Sequence, residues 1–384
     1  MHWRFGVQVG SRTQSVPAQR RSIDGLLTVG VEEEFVLVED STGHLANRAN
    51  EVLAGADSFE IDLQPEIAQY QVESASGVCT DMAVLRDQLA VARRALIERA
   101  ARHDARLAAT GTPVLGLTMP TPLTNSPRYH RMAQEMGALT NDLAICGCHV
   151  HVGLPDDESK IFVSNHLRPW LPTLLALGAN SPYWLDGDTG YASWRYVVWN
   201  RWPTSGAPPL FDSAAEYYAA REEIVASGAA MDAGMLYWDV RLSANHPTLE
   251  LRVSDVAPTV EEAVLMAALV RGIAATALSS GTAPLRLPPH LLKVAMWRAA
   301  RDGLEGFGID PATGSPTPAS SIVASLLRWI RPALELAGDY ELVTTGIDRL
   351  LLDGTGAVRQ RRAFARRGRL ADVVAFLVAQ TSPV

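Results

Sequence analysis

The alternation of apolar and polar positions is sharpest over Thr28-Val-Gly-Val-Glu-Glu-Glu-Phe-Val-Leu-Val38. In a strand, residues i and i+2 share a face, so Glu32 and Glu34 point one way and Val31, Glu33, Phe35 and Leu37 the other. Gly147-Cys-His-Val-His-Val-Gly153 repeats the design with His149 and His151, and Thr248-Leu-Glu-Leu-Arg-Val253 repeats it with Glu250 and Arg252. Each pair is backed mainly by apolar residues, which predicts a sheet with one greasy face and one face that carries chemistry.

Strands and long helices alternate along the rest of the chain. Ile67 to Ala75 reads as a strand, and Thr80 caps a helix from Asp81 to about Ala108, packed on the greasy face with its charges in solvent. A strand near Ala108 to Gly111, a Pro-rich loop from Pro113 to Pro127 and a helix around Tyr129 to Thr140 precede the histidine strand. A helix from about Glu158 is interrupted near Pro169 and Pro172. The long loop Leu185 to Phe211 is rich in Gly, Pro and Trp, and long ordered loops are disproportionately functional. Asp212 to Ser227 is helical, and Thr259 with Glu262 forms a capping box for the next helix. The C-terminal third is helical, broken at Asp310 to Ser315 and at Gly354. The expected fold class is α+β, an antiparallel sheet with helices on one face and a helical C-terminal region.

Composition narrows the function. The 384 residues are 47% hydrophobic and 20% charged, ample for a large core, and no linker divides them. A net charge of -8 without a basic stripe argues against a nucleic-acid partner. Lys160 and Lys293 are the only lysines, so neither a P-loop nor a Schiff-base lysine can be assembled and cationic work falls to arginine. Three cysteines and no apolar signal segment before Thr28 point to a reducing compartment, the cytoplasm. The longest apolar run, Val260 to Leu278, carries Glu261, Glu262 and Arg271, so no membrane span is expected.

Several carboxylates on one face need a cation between them. Two like charges about 4 Å apart at an effective dielectric near 20 repel by roughly 4 kcal/mol. Mg2+ and Mn2+ remove that cost, because they prefer oxygen ligands and accept an occasional imidazole. An arginine among metal ligands then implies a shared anion, and a transferring phosphoryl is the commonest. The residues alone therefore read as a metal-dependent phosphoryl-transfer site on an antiparallel sheet.

Gly30-Val-Glu-Glu-Glu-Phe35, Gly147-Cys-His-Val-His-Val-Gly153, Trp238-Asp-Val-Arg241 and Pro247-Thr-Leu-Glu-Leu-Arg-Val-Ser-Asp255 resemble the type 2 glutamate-cysteine ligase group of carboxylate-amine ligases. Asn180-Ser-Pro-Tyr-Trp184, Asp188-Thr-Gly-Tyr-Ala-Ser-Trp-Arg195 and Gly354-Thr-Gly-Ala-Val-Arg-Gln-Arg361 extend the resemblance over nearly all of the chain. It implies a catalytic domain of the glutamine-synthetase and guanido-kinase type over residues 28–384, with residues 1–27 as a flexible extension. It implies ATP and Mg2+ (or Mn2+) as cofactors and an acyl phosphate that an amine attacks. Glutamate and cysteine are the nominal substrates, and relatives imply a homodimer. The resemblance assigns Glu34, Glu66 and Glu73 to one metal, and Glu32, His149 and Glu250 to the metal that bridges the nucleotide phosphates. Arg252 would stabilise the moving phosphoryl, His151 would lie near the nucleotide phosphates, and Arg195 would grip a phosphate or a substrate carboxylate.

Each feature also has a plainer reading. Glu32 and Glu34 fit an exposed strand, and His149 and His151 fit core histidines. Glu66 and Glu73 have opposite parity, so one strand cannot carry both on one face without a bulge; Glu66 fits a loop acid. Cys146 and Cys148 face away from the histidines and read as core rather than as zinc ligands. Arg195 and Arg201 could pack on tryptophan faces. Gly354-Thr-Gly356 reads as a helix start more readily than as a phosphate cradle. Other functions stay open: the same ligation on another acid and amine pair in specialised metabolism, a guanidino kinase, or a catalytically silent ligase-like protein with a regulatory or structural role.

Overall fold

The computed structural model describes residues 25–55 and 62–383. Of the expected N-terminal extension, residues 1–24 lie outside the described residues, and Leu27 is already buried in the core. The elements run β1 (Val29–Glu39), α1 (Ala49–Leu53), β2 (Asp62–Pro65), β3 (Gln71–Ala75), α2 (Met82–Ala101), β4 (Ala105–Ala108), α3 (Pro127–Met136) and β5 (Gly147–Gly153). Then come α4 (Asp157–Leu167), α5 (Leu171–Leu177), the short ribbon β6 (Tyr183–Trp184) and β7 (Gly187–Asp188), α6 (Trp194–Trp199) and α7 (Ala214–Ala226). β8 (Val240–Leu242), β9 (Thr248–Asp255), α8 (Val260–Ser280) and α9 (Pro289–Asp302) follow, and a second ribbon, β10 (Phe307–Ile309) and β11 (Pro316–Pro318), leads into α10 (Ala319–Ala337), α11 (Tyr340–Asp353), α12 (Gly356–Ala365) and α13 (Leu370–Thr381).

The expected antiparallel α+β fold is present. Seven strands form the main sheet in the order β2-β3-β1-β5-β9-β8, with β4 paired to the far end of β1. Val29, Val31, Cys148, Val150, Val152, Leu249 and Leu251 build the greasy face, on which α2, α4, α5 and α8 pack. α8 is 21 residues long and apolar enough to cross a bilayer, and 83% of its apolar window is buried inside the fold. Thr259 caps it through the Glu262 N–H, as its capping box predicts.

Four local expectations change. The segment read as one strand over Ile67 to Ala75 is the return arm of a hairpin: β2 precedes it, and Gln64 pairs with Glu73. Apolar alternation is weak in Asp62-Leu-Gln-Pro65, so the first arm is inconspicuous in sequence. The helix expected to reach Ala108 ends at Ala101, where Asp104 takes a positive φ of 53° and turns the chain into β4; Asp tolerates that conformation better than most residues. Its cap is Asp81, which accepts from the Ala83 N–H, not Thr80. Its charges do not all face solvent either. Arg93 is fully buried and bonds both oxygens of buried Glu33, together with the carbonyls of Ala257 and Pro258. Glu33 could only point into the greasy face, and this buried partner accommodates its charge there.

Candidate active site

The polar face of the sheet forms the floor of a cavity of about 890 Å³, near the upper end of ordinary small-molecule clefts. Strand register brings its side chains together. Glu32 on β1 stands opposite His149 on β5, Glu34 opposite Glu73 on β3, and His151 opposite Glu250 on β9, which faces Arg241 on β8. Between Cys148 and Val150 the register with β9 shifts, so Arg252 and Val253 together face His149. Glu250 and Arg252 share the cavity face, and beyond the bulge the alternation changes phase, so that Asp255 stands opposite Gly147.

Two donor sets result. Oxygens of Glu34, Glu66 and Glu73 lie within 4.8 Å of one another, and so do ligand atoms of Glu32, His151 and Glu250. Glu66 leaves the end of β2, and the hairpin carries it back beside Glu73, which resolves the parity conflict without a bulge. His149 lies between the sets: its Nδ1 is 3.0 Å from Glu32, its Nε2 is 3.6 Å from Glu34, and that Nε2 has no hydrogen-bond partner. The structure thus groups His151 with Glu32 and Glu250, whereas the resemblance places His149 there. His151 Nε2 is 3.1 Å from Glu32, and its Nδ1 is held by the Thr248 hydroxyl at 2.7 Å.

The electrostatics follow from crowding. Burial pushes the Glu66 carboxyl up to about 7, helped by Glu34, and raises Glu73 well above the usual range, helped by Glu66 and Glu34. Burial opposes ionisation of Glu32 and Glu250 too. At Glu32 the imidazoles of His149 and His151 outweigh it, and at Glu250 the guanidiniums of Arg252 and Arg241 do, so both stay below the usual carboxylate range. Burial and the nearby Arg252 lower His149. Oxygen-rich, partly desolvated donors with one imidazole and an unpartnered ring nitrogen alongside fit hard divalent cations of the Mg2+ or Mn2+ type.

Two arginines hold Glu250. Arg241 donates from Nε and Nη2 at 2.9 and 3.2 Å, and Arg252 Nη1 donates to Glu250 Oε1 and approaches His149 Nδ1 at 3.3 Å. Arg241 closes the motif Trp238-Asp-Val-Arg241, but no role follows for it from sequence alone; its alternation within Val240-Arg-Leu242 marks a strand residue on the same face. Arg195 is buried at the cavity wall, donating to the carbonyls of Arg252 and Val253 rather than stacking on a tryptophan, with its Nε unpartnered. Asp255 fixes the segment before it by accepting from the Asn180 N–H and the Ser181 and Ser193 hydroxyls. Arg201 pairs with Asp142. Cys146 and Cys148 are both buried among apolar residues, and Gly356 packs against Asn180 away from the cavity lining.

Sequence comparisons show the family, and structure comparisons show the fold. The family model of glutamate-cysteine ligase family 2 (GCS2) matches residues 28–376. A provisionally named glutamate–cysteine ligase 2-2 of Mycolicibacterium vanbaalenii is 49% identical over 359 residues, covering 92% of this chain and 98% of that one. A provisionally named glutamate–cysteine ligase 2-1 of Saccharopolyspora erythraea is 45% identical over 358 residues, covering 93% and 95%. Among solved structures, glutamate–cysteine ligase from Francisella tularensis in complex with AMP is similar with a TM-score of 0.68 at 14% identity, over 94% of this chain and 89% of that one. A bifunctional glutathione synthetase from Pasteurella multocida gives 0.66 at 17% identity, over 92% of this chain and 52% of that one, so the chain spans about half of that enzyme. At such identities these two structures speak for the fold alone.

Proposed function

Because the chain belongs to glutamate-cysteine ligase family 2, we propose that it is an ATP-dependent ligase that joins a carboxylate to an amine through an acyl phosphate. The observation that carries this reading is the pair of donor sets, Glu34, Glu66 and Glu73 beside Glu32, His151 and Glu250, in one cavity with Arg252. The two sets would each hold a divalent cation. Such ions neutralise phosphate oxygens on both sides of a transferring phosphoryl group. His149 reaches both sets, and Arg241 keeps Glu250 oriented. Arg252 presents a guanidinium where negative charge spreads over the moving phosphoryl, and Arg195 adds a second cation at the wall.

The chemistry needs this activation because a carboxylate is a poor electrophile and oxide a poor leaving group. In the first step the acid's oxygen attacks the terminal phosphorus of ATP and ADP leaves. In the second an amine attacks the acyl carbon, phosphate leaves, and the amine loses a proton as the amide forms. Glutamate and cysteine are the nominal acid and amine, residues 28–384 are the catalytic unit, the assembly is a homodimer, and the compartment is the cytoplasm.

The test is interception of the intermediate. With ATP, Mg2+ and the correct acid, hydroxylamine in place of the amine should yield a hydroxamate with one ADP formed per product. Release of AMP and pyrophosphate instead would mean an acyl adenylate and overturn the reading.

A further inference from the structure

Arg128 near the start of α3 and Asp232 in the loop after α7 are 104 residues apart, yet they form a two-armed ion pair on the cavity rim. Their side chains are 46% and 42% exposed, unlike the other arginines of the cavity. Arg241 and Arg252 are committed to Glu250, and Arg195 is buried against backbone carbonyls. The rim pair opens onto the same cavity as Glu34, Glu66 and Glu73, and the loop that carries Asp232 is tied to its floor, because the Gly234 carbonyl accepts from Arg241 Nη1 at 2.9 Å. The hydrogen bond with Arg128 lowers the Asp232 carboxyl, and the same bond raises Arg128, so both are charged near neutral pH.

We propose that Arg128 and Asp232 are the receptor for the α-carboxylate and α-ammonium of an amino-acid donor, which opens their mutual pair and leaves the donor's side-chain carboxylate to be phosphorylated. This rests on the ligase reading above. A planar guanidinium fork matches a carboxylate in two-point fashion, and a free aspartate accepts an ammonium. A half-exposed ion pair contributes little to stability, so exchanging it for a zwitterion is cheap. The assignment also answers two demands of the chemistry. A donor with two carboxylates must present only one to the terminal phosphorus, and its own amine must not attack the acyl phosphate. Holding the α-carboxylate on Arg128 and the ammonium, still protonated, on Asp232 meets both.

The experiment measures hydroxamate formation with ATP, Mg2+ and hydroxylamine, using the wild type with glutamate, aspartate and 2-aminoadipate to find the donor. For a glutamate donor the comparison acids are glutarate, which lacks the ammonium, and 4-aminobutyrate, which lacks the α-carboxylate; a donor of other length takes its matching pair. Arg128→Gln should raise the donor KM by roughly 30-fold or more, leave the KM for ATP within about 3-fold, and erase the preference over the analogue without the α-carboxylate. Asp232→Asn should instead erase the preference over the analogue without the ammonium. Arg128→Asp combined with Asp232→Arg restores a bridge but exchanges the charges, so its donor KM should stay high while its melting temperature returns to the wild-type value. Hydroxamate formation in which both single variants keep the wild-type preferences, or in which the exchanged pair regains full donor affinity, would overturn the proposal and make the bridge a structural latch. No hydroxamate from any acid would instead overturn the ligase reading on which it rests.

Discussion

The guanidinium of Arg195 occupies the space that a side chain at Gly147 would fill: a Cβ built there would overlap Arg195 Nη2 and lie 3.0 Å from His149 Nε2. The Gly147 N–H meanwhile donates to Glu34 Oε2 at 2.6 Å. One glycine at the start of β5 therefore lets an arginine of α6 lie over the strand beside the histidine's ring while its backbone orients a carboxylate.

Gly147→Ala should fold, because Gly147 has ordinary strand pairing with Asp255. It should displace Arg195 and lower turnover by roughly 100-fold, the scale at which small misplacements act. The decisive measurement is a double-mutant cycle. If the alanine acts through Arg195, then Gly147→Ala on top of Arg195→Ala should cost almost nothing further. Fully additive losses would mean that the glycine serves something else.

The buried Glu33–Arg93 pair makes a stability prediction on the opposite face of the same strand. Arg93→Met leaves Glu33 uncompensated in the core and should destabilise the protein by about 3–5 kcal/mol in urea unfolding. Adding Glu33→Met should recover part of that loss, since two apolar side chains need no pairing; the Ala257 and Pro258 carbonyls remain without their donor. A cost below about 1 kcal/mol for the single substitution would show that water reaches Glu33.

The Asp188–Arg361 pair, bonded at 2.8 and 2.6 Å, ties the segment before Arg195 to α12. The bond from Arg361 holds the Asp188 carboxyl below its ordinary 3.8. A carboxylate with a lowered folded-state pKa adds stability above its unfolded value, and that contribution disappears as pH falls through the folded value. With side chains 43% and 32% exposed, the contribution is at most about 1 kcal/mol. The urea midpoint of Asp188→Asn should therefore trail the wild type by a constant amount from about pH 5 to 8, and the gap should shrink as pH falls below the ordinary 3.8. A gap that widens on acidification would contradict the sign.

Strand parity made Glu32, Glu34, His149, His151, Glu250 and Arg252 legible, because each lies on a short run where period two is unbroken. What parity cannot carry is register between strands. Grouping His151 with Glu32 and Glu250 depends on which residues of β1, β5 and β9 stand opposite one another, and on a bulge that has no composition signature. Glu66 needed the β2–β3 hairpin, whose first arm lacks alternation. Arg93 looked like one more charge on a polar helix because its partner, Glu33, is 60 residues away. Arg128 lies at the start of α3 and Asp232 in the loop after α7, 104 residues apart, and only the fold brings them to one rim.

The last prediction separates Arg252 from the ligands it touches. Its Nη1 bonds Glu250 and approaches His149, and burial is offset by Glu250 and Glu34, which keep it charged at any working pH. Its guanidinium should act chiefly as charge spreads over the moving phosphoryl, an effect of the transition state and not of nucleotide binding. Arg252→Lys keeps the charge but loses the planar fork, so turnover should fall by about 100-fold or more with ATP affinity changed by less than about 10-fold. Glu250→Gln should behave differently. It removes a ligand charge and also releases the Arg241 and Arg252 forks that converge on that carboxylate, so it should raise the Mg2+ concentration needed for ATP binding as well as slow the reaction. The comparison is made by titrating Mg2+ in ATP-binding calorimetry and by turnover at saturating amine, on variants whose melting curves show an intact fold. Small and equal effects from both substitutions would mean that the polar face of β9 is structural, and that phosphoryl transfer, if it occurs, is organised by other residues of the cavity.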